Sequence, residues 1–163
     1  MNIVECLNRF LRDLAKPDFK ILKQTIKKTD CTLERLDSYI SPPAPPLHYG
    51  RNVIFRSDLF EAIVINLPPF TATPIHDHGE SVCCVHVVSG SLVNRKYTNP
   101  ARPSLTREQW HKTGDFIYCN YGEIHSMYNP CPKPLISFHL YTPPLRETKF
   151  YSLDETMGAQ NGG

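Results

Sequence analysis

The sequence predicts an all-β fold, a small antiparallel β-barrel that follows a helical segment. Residues 1–40 carry apolar side chains at helical spacing, whereas from Tyr49 onward the apolar residues alternate with a period of two. The chain also contains 15 prolines and 8 glycines, which suits many short strands joined by turns. At 163 residues we expect one domain over 1–163, with the helices in 1–40 and the barrel in 49–152.

Two amphipathic helices and a shorter third one are predicted in the N-terminal segment. Lys16 ends the first helix, because the residue before a proline avoids the α-helical region. Asp18 can cap the second helix, and the third begins near Thr32. We expect all three to pack on the outside of the barrel. The apolar stripe of the first helix comprises Ile3, Val4, Leu7, Phe10, Leu11 and Leu14.

The strands are predicted from alternating apolar segments that are bounded by turn residues. The proline-rich segment 41–46 is a stiff connector into the first hairpin, which turns at Ser57 and Asp58. Loops are expected at 99–103 and 130–134, and a frayed tail at 158–163. The predicted strands are 51–56, 60–67, 71–77, 82–88, 92–97, 116–119, 124–129, 135–141 and 150–152.

Composition argues against several classes of function. The net charge is only +2, and the basic residues form no dense cluster, so we expect no nucleic-acid partner. No apolar run approaches the ~20 residues of a membrane span, and charged residues interrupt any signal-peptide core. We therefore expect a soluble, cytoplasmic monomer. Its 6 cysteines form no Cys-x-x-Cys pair, which predicts free thiols.

Three histidines stand out as candidate metal ligands. His76 and His78 are spaced i, i+2, so that in an extended strand both point to one face. The segment 74–90 resembles the first motif of the cupin superfamily, and Cys83 occupies the position of that motif's glutamate ligand. The segment 114–129 resembles the second cupin motif and supplies His125. This resemblance implies a jelly-roll barrel, and three neutral imidazoles suit divalent zinc, iron, nickel or copper.

A second constellation lies on one late strand. Ser137, His139 and Tyr141 are spaced i, i+2, i+4, so all three point the same way. A serine, a histidine and a tyrosine on one face can form a hydrogen-bonded relay that orients the tyrosine hydroxyl. By the same parity rule, Cys84 and His86 should face away from Cys83 and from the site.

Together these segments are similar to the type I cysteine dioxygenases. The resemblance is carried by Tyr-Gly-Arg-Asn at 49–52, by His-Asp-His with its later cysteine, and by Ser-Phe-His-Leu-Tyr-Thr-Pro-Pro at 137–144. It implies a mononuclear Fe(II) site that oxidises the thiol of L-cysteine to cysteine sulfinate with both atoms of O2. By matching positions, the metal ligands are His76, His78 and His125, the substrate-binding residues are Arg51 and Tyr49, and the catalytic residues are Tyr141, His139, Ser137 and Cys83.

The resemblance also implies a thioether bond between Cys83 and Tyr141 in those members that carry this cysteine. A guanidinium at Arg51 suits a substrate carboxylate, because its planar fork binds both oxygens. Two alternatives remain: a thiol dioxygenase for 3-mercaptopropionate or cysteamine, and a non-catalytic metal-binding cupin. Arg51 favours cysteine, since the resemblance implies glutamine there for mercaptopropionate. The polar row at 137, 139 and 141 argues against plain binding. Residues after Pro144 match no family segment, so the far wall of the pocket is not predicted.

Overall fold

In the computed structural model, residues 1–98 and 100–153 are described. Two five-stranded antiparallel sheets face each other, in the strand orders β1-β2-β9-β4-β7 and β10-β3-β8-β5-β6. The strands are β1 Gly50–Arg56, β2 Glu61–Leu67, β3 Ile75–His76, β4 Val82–Ser89, β5 Ser91–Thr98, β6 Ser104–Lys112, β7 Phe116–Cys119, β8 Ile124–Tyr128, β9 Leu135–Thr142 and β10 Phe150–Tyr151. The predicted all-β class with N-terminal helices is confirmed.

The helices begin where the sequence predicts. The first, α1, spans Ile3–Leu11, and Asn2 and Glu5 form a reciprocal capping box at its start. The second, α2, spans Phe19–Thr29, and the Asp18 side chain accepts a hydrogen bond from the Ile21 backbone N–H at 2.9 Å. A short α3, Leu33–Leu36, leads into a 3₁₀ turn at Asp37–Tyr39. No helix in the two described ranges is long and apolar enough to cross a membrane.

The helices cover the outer face of the first sheet, as expected. Their buried residues, among them Leu7, Leu22 and Ile26, form one apolar cluster with Phe138 and Leu140 of β9. Cys84 belongs to this outer cluster, and the His86 ring stacks on Phe116 with centroids 4.5 Å apart. The parity prediction for Cys84 and His86 is therefore confirmed. A second apolar cluster lies between the sheets and includes the inward residues of β2 and β4.

Two strand predictions were wrong. Strand β6 was not predicted, because most of its side chains are exposed and it pairs only with β5 at the sheet edge. It lacks the buried alternation that marks a strand, and it exposes Leu105 and Trp110. The expected strand 71–77 contracts to Ile75–His76, with one isolated bridge from Ala72 to Tyr128. The predicted tail 158–163 and residue 99 of the predicted loop lie outside the described residues.

The shortened β3 leaves only the first of the two spaced histidines, His76, within a strand. His78 lies beyond the strand, in a turn closed by a hydrogen bond from the Ser81 backbone N–H to its carbonyl, at 3.0 Å. Gly79 has a φ of +57° and approaches the backbone of Arg146 so closely that an added Cβ would collide with its carbonyl oxygen. The two rings lie with their centroids 5.1 Å apart, although only His76 belongs to β3.

Candidate active site

Three histidine rings converge at one end of the space between the sheets. His76 on β3 is the register partner of His125 on β8, and His78 follows β3 in the turn. One ring nitrogen from each lies within 4.8 Å of the others. The Nε2 atoms of His78 and His125 are 3.1 Å apart. Metal–nitrogen bonds of about 2.1 Å at right angles place two ligand nitrogens about 3 Å apart, so this spacing fits one metal ion.

The outer ring nitrogens are oriented by hydrogen bonds. His76 Nδ1–H donates to the carbonyl oxygen of Pro74 at 2.7 Å. His125 Nδ1–H donates to Oδ1 of Asn94 at 2.8 Å, and the Cys119 sulfur lies 3.9 Å from the same nitrogen. Each bond fixes the tautomer and leaves Nε2 with a free lone pair, which is the form that binds a metal.

All three imidazoles are neutral at neutral pH. Burial lowers the pKa of His125 well below its usual value, and the neighbouring histidines lower it further. Burial lowers the pKa of His78 to about 3, and the neighbouring His76 makes a smaller contribution to this shift. Burial also lowers the pKa of His76. Because all three groups are neutral, they would leave a bound dication its full charge, which favours an anionic ligand such as a thiolate.

The polar row on β9 forms a hydrogen-bonded chain. Ser137 Oγ lies 2.8 Å from His139 Nε2, and His139 Nδ1 lies 3.3 Å from the Tyr141 hydroxyl. All three side chains are buried. Burial lowers the pKa of His139 to about 3, so the ring is neutral and carries one proton. The Tyr141 ring packs edge-on against His78 at 5.3 Å between centroids, which places the chain beside the metal ligands.

Cys83 lies directly beside Tyr141. The two are register partners on the adjacent strands β4 and β9, so their side chains lie on the same face of the sheet. Burial raises the pKa of the Cys83 thiol well above its usual value. Burial likewise raises the pKa of the Tyr141 hydroxyl. Both groups are therefore protonated at neutral pH. On its other side Cys83 pairs with Cys119 of β7, a second buried thiol.

Arg51 and Tyr49 line the same cavity, and Arg51 belongs to the first sheet, whereas His76 belongs to the second. Arg51 projects inward from β1, where it pairs with Ile65. Its Nη2 lies 4.0 Å from Oε1 of Glu61, a carboxylate that also contacts Nε of Arg56 at 3.2 Å. Burial raises the pKa of Tyr49, and the charge of Arg51 partly offsets this shift. This end of the cavity is thus charged, and it presents a guanidinium to any bound ligand.

One cavity of about 270 Å³ joins these groups. Its far wall, which the sequence did not predict, is the segment that follows Pro144. Leu145, Thr148 and Phe150 line this wall. The cavity is also lined by His76, His78, His139, Tyr141, Tyr49 and Arg51. Of the nine predicted site residues, these six line the cavity. The other three, Ser137, Cys83 and His125, lie behind the lining.

Asp77 fastens that wall to the metal ligands. Its carboxylate accepts hydrogen bonds from the backbone N–H of Gly79 and of Lys149, both at 3.0 Å, and from the Tyr151 hydroxyl at 2.7 Å. These hydrogen bonds lower the pKa of Asp77 despite its partial burial. Its own backbone N–H donates to the Lys149 carbonyl. The residue between the two histidines therefore holds the covering segment against them.

Sequence reasoning missed three residues that shape this site. Asp77 was visible only as the middle of His-Asp-His, with no sign of its partners. Asn94 sits on β5 and was not distinguished from other polar strand residues. Glu61 opens β2, whose other residues are nearly all apolar, and a single acidic residue at the start of such a buried strand is the one signal that could have identified it.

Comparison with solved structures supports the fold. An uncharacterized conserved protein with a double-stranded β-helix domain from Klebsiella pneumoniae is similar over 72% of this chain and 94% of its own, with 19% identity and a TM-score of 0.61. An RmlC-like cupin family protein from Methanocaldococcus jannaschii is similar over 58% of this chain and 80% of its own, with 14% identity and a TM-score of 0.50. At such identities the likeness concerns the fold alone, and it confirms the predicted cupin barrel.

Comparison with family models gives a more specific match. The model of cysteine dioxygenase type I matches residues 46–154 of this chain. The matched range begins just before Tyr49 and includes all three histidines and the polar row of β9. It leaves out the N-terminal helices, which cover the outer face of the first sheet.

Proposed function

The chain belongs to the cysteine dioxygenase type I family, and we propose that it is an Fe(II)-dependent dioxygenase that converts L-cysteine to cysteine sulfinic acid. The observation that supports this most is a cavity lined by Arg51 and by His76 and His78, which form a three-histidine group with His125 behind them. The reaction balances without a further reductant, since a thiol and O2 together contain all the atoms of the sulfinic acid.

His76, His78 and His125 would hold the metal through Nε2. Ferrous iron bound there supplies the activation of O2 and its transfer to sulfur. The donor set fits this task, because three neutral imidazoles, two of them oriented by hydrogen bonds, leave coordination positions for a substrate thiolate and O2. The choice of iron over zinc, nickel or copper rests on the family and is part of the proposal.

Arg51 would bind the substrate carboxylate. Its planar fork can engage both oxygens, and its position across the cavity from the histidines holds the thiol end of the substrate toward them. Tyr49 lines the same end, where its protonated hydroxyl can donate a further hydrogen bond. Cysteamine has no carboxylate and would leave the guanidinium without this partner.

The hydrogen-bonded side chains of Ser137, His139 and Tyr141 on β9 would control the position of one proton. If the Ser137 hydroxyl donates to Nε2 of His139, then the Nδ1–H of that neutral ring donates to the Tyr141 oxygen. The phenolic proton of Tyr141 is then free to point into the cavity, and the raised pKa of this hydroxyl keeps the proton in place. We propose that Tyr141 donates this hydrogen bond to the reacting oxygen atoms. We also propose that its register partner Cys83 forms a thioether with the Tyr141 ring, in which the thiol and the ring each lose one hydrogen atom and O2 is reduced to hydrogen peroxide.

Oxygen consumption with three thiols tests this proposal. The iron-loaded protein is given L-cysteine, 3-mercaptopropionate and cysteamine side by side, and the product is identified by mass spectrometry. We expect the highest kcat/KM with L-cysteine and a stoichiometry of one O2 per sulfinic acid. Preferred turnover of 3-mercaptopropionate or cysteamine would assign a different thiol substrate. No oxygen uptake with any of them would leave a metal-binding cupin without this activity.

A further inference from the structure

Glu61 is a buried carboxylate at the edge of the candidate active site. It is 2% exposed and is the first residue of β2, on the inward side of the strand. We propose that Glu61 is a positioning residue for Arg51, and that it thereby sets the preference of the cavity for a substrate with one carboxylate. The role in substrate binding rests on the function proposed above.

Strand register brings Glu61 to this place. It pairs with Arg56 on β1 and with Tyr141 on β9, so its side chain lies between the arginines and the polar row. Arg56 comes within 3.2 Å through Nε, and Arg51 comes within 4.0 Å through Nη2. The carboxylate itself does not line the cavity. Any effect of Glu61 on a substrate therefore has to pass through a neighbour that does, and of its two such neighbours, Tyr141 and Arg51, only Arg51 carries the opposite charge.

The charges of Arg51, Arg56 and Glu61 explain why the cavity suits a substrate with one carboxylate. Two guanidinium groups and one carboxylate give a net charge of +1, and a substrate carboxylate brings the sum to zero. A carboxylate as buried as Glu61 is costly without a charged partner, so it stays close to the arginines. Arg56 alone could neutralise it. The contact between Glu61 and Arg51 is therefore not needed to neutralise Glu61, and its main effect is to orient the Arg51 side chain.

Arg51 gains a defined direction from this contact. Its side chain is 34% exposed, so without an anchor the guanidinium can turn toward water. Nη2 carries two hydrogens, of which one can face Glu61 while the other, together with a neighbouring N–H, faces the cavity. An anchored fork loses less conformational entropy when it binds a carboxylate, which increases affinity. The benefit applies only to ligands that carry a carboxylate.

Anaerobic calorimetry of the iron-loaded protein tests the proposal. Glu61→Gln keeps the size of the side chain and removes its charge. We expect the Kd for L-cysteine to rise about fivefold, in line with a weakened charge-assisted interaction, while the Kd for cysteamine stays unchanged. Glu108→Gln is the matched control, because it removes the partner of Arg95 in a more exposed ion pair on β6. We expect that control to leave both values unchanged.

Repeating the substitution in an Arg51→Ala variant shows whether Glu61 acts by positioning Arg51 or by a structural role. In Arg51→Ala, the further change Glu61→Gln should not weaken L-cysteine binding, because Glu61 has no guanidinium left to direct. An unchanged Kd in the single variant, or an equal loss for L-cysteine and cysteamine, would overturn the proposal. If Glu61→Gln does not fold, Glu61→Asp takes its place with the same expected selectivity. A wild-type protein that does not oxidise L-cysteine would refute the proposed function instead, whatever the variants do.

Discussion

The two ends of the cavity are built from different kinds of polar group. At the metal end, the three histidines and His139 are neutral, because burial lowers the pKa of each. At the carboxylate end, Arg51, Arg56 and Glu61 form ion pairs. The metal end is held by short hydrogen bonds to Pro74 and Asn94, whereas the other end depends on a longer contact of 4.0 Å.

We expect this difference to divide two tasks between the ends, with metal binding at the histidine end and ligand selectivity at the arginine end. The histidine group offers three nitrogen donors, so removing one of them leaves a metal ion with only two ligands from this group. A charged cluster changes gradually, since each ion pair near the surface contributes modestly and the remaining charges compensate. Substitutions at the metal end should therefore abolish the site, while those at the carboxylate end should alter which ligand binds and how tightly.

The largest effect is expected from removal of a metal ligand. His125→Ala deletes one of three donors from a buried position, so we expect the iron content of the purified protein to fall by about tenfold or more. Elemental analysis measures this directly. His111→Ala, on the edge strand β6, is the control and should keep its iron. Full iron content in His125→Ala would refute the ligand assignment.

The next largest effect is expected at Arg51. Arg51→Ala removes the cationic partner of the substrate carboxylate and leaves Glu61 near the cavity with Arg56 alone. We expect KM for L-cysteine to rise by about tenfold or more, since a charge-assisted bidentate contact is lost. Steady-state oxygen consumption measures KM, and the iron content should stay normal. An unaltered KM would reject the carboxylate role.

The Cys83–Tyr141 pair adjoins the metal end and offers a covalent test. Thioether formation predicts a protein mass lower by two hydrogen atoms and a joined peptide pair after tryptic digestion, both stable to reduction. A disulfide between Cys83 and Cys119 would show the same loss but would be reversed by a reductant. Cys83→Ala should abolish the joined peptides, whereas Cys84→Ala on the outer face should retain them. If the joined peptides are absent from wild-type protein after turnover, the crosslink is contradicted.

The smallest effect concerns stability against pH. The pKa of His139 is about 3 when folded, against 6.5 as the usual value, so the unfolded chain binds the extra proton more readily. Stability is therefore present above about pH 6.5 and declines as the pH falls toward 3. For His139 alone the loss by pH 5 is about 2 kcal/mol. Thermal melts of metal-free protein at pH 7.5 and 5 should show a smaller decline for His139→Gln, and an equal decline would contradict this account.

Much of the fold could be predicted because its signals are local. Alternation along β9 already separates Ser137, His139 and Tyr141 from Phe138 and Leu140. The structure places His139 and Tyr141 at the cavity, and Phe138 and Leu140 under the helices. The helix starts at Asp18 and Thr32 were likewise visible in the sequence. Strand β6 was missed for the opposite reason, since an exposed edge strand has little alternation to detect.

The sequence by itself determined which side chains could meet, and the tertiary structure decided how they are held. The spacing of His76 and His78 indicated a metal pair, whereas the pairing of β3 with β8 places His125 opposite His76. Contacts between residues far apart in the chain, such as Asp77 with Lys149 and Tyr151, form the cavity wall and follow from no local period. The same holds for Glu61, whose significance depends on strand register, because only the pairing of β1, β2 and β9 places it between Arg51 and Tyr141.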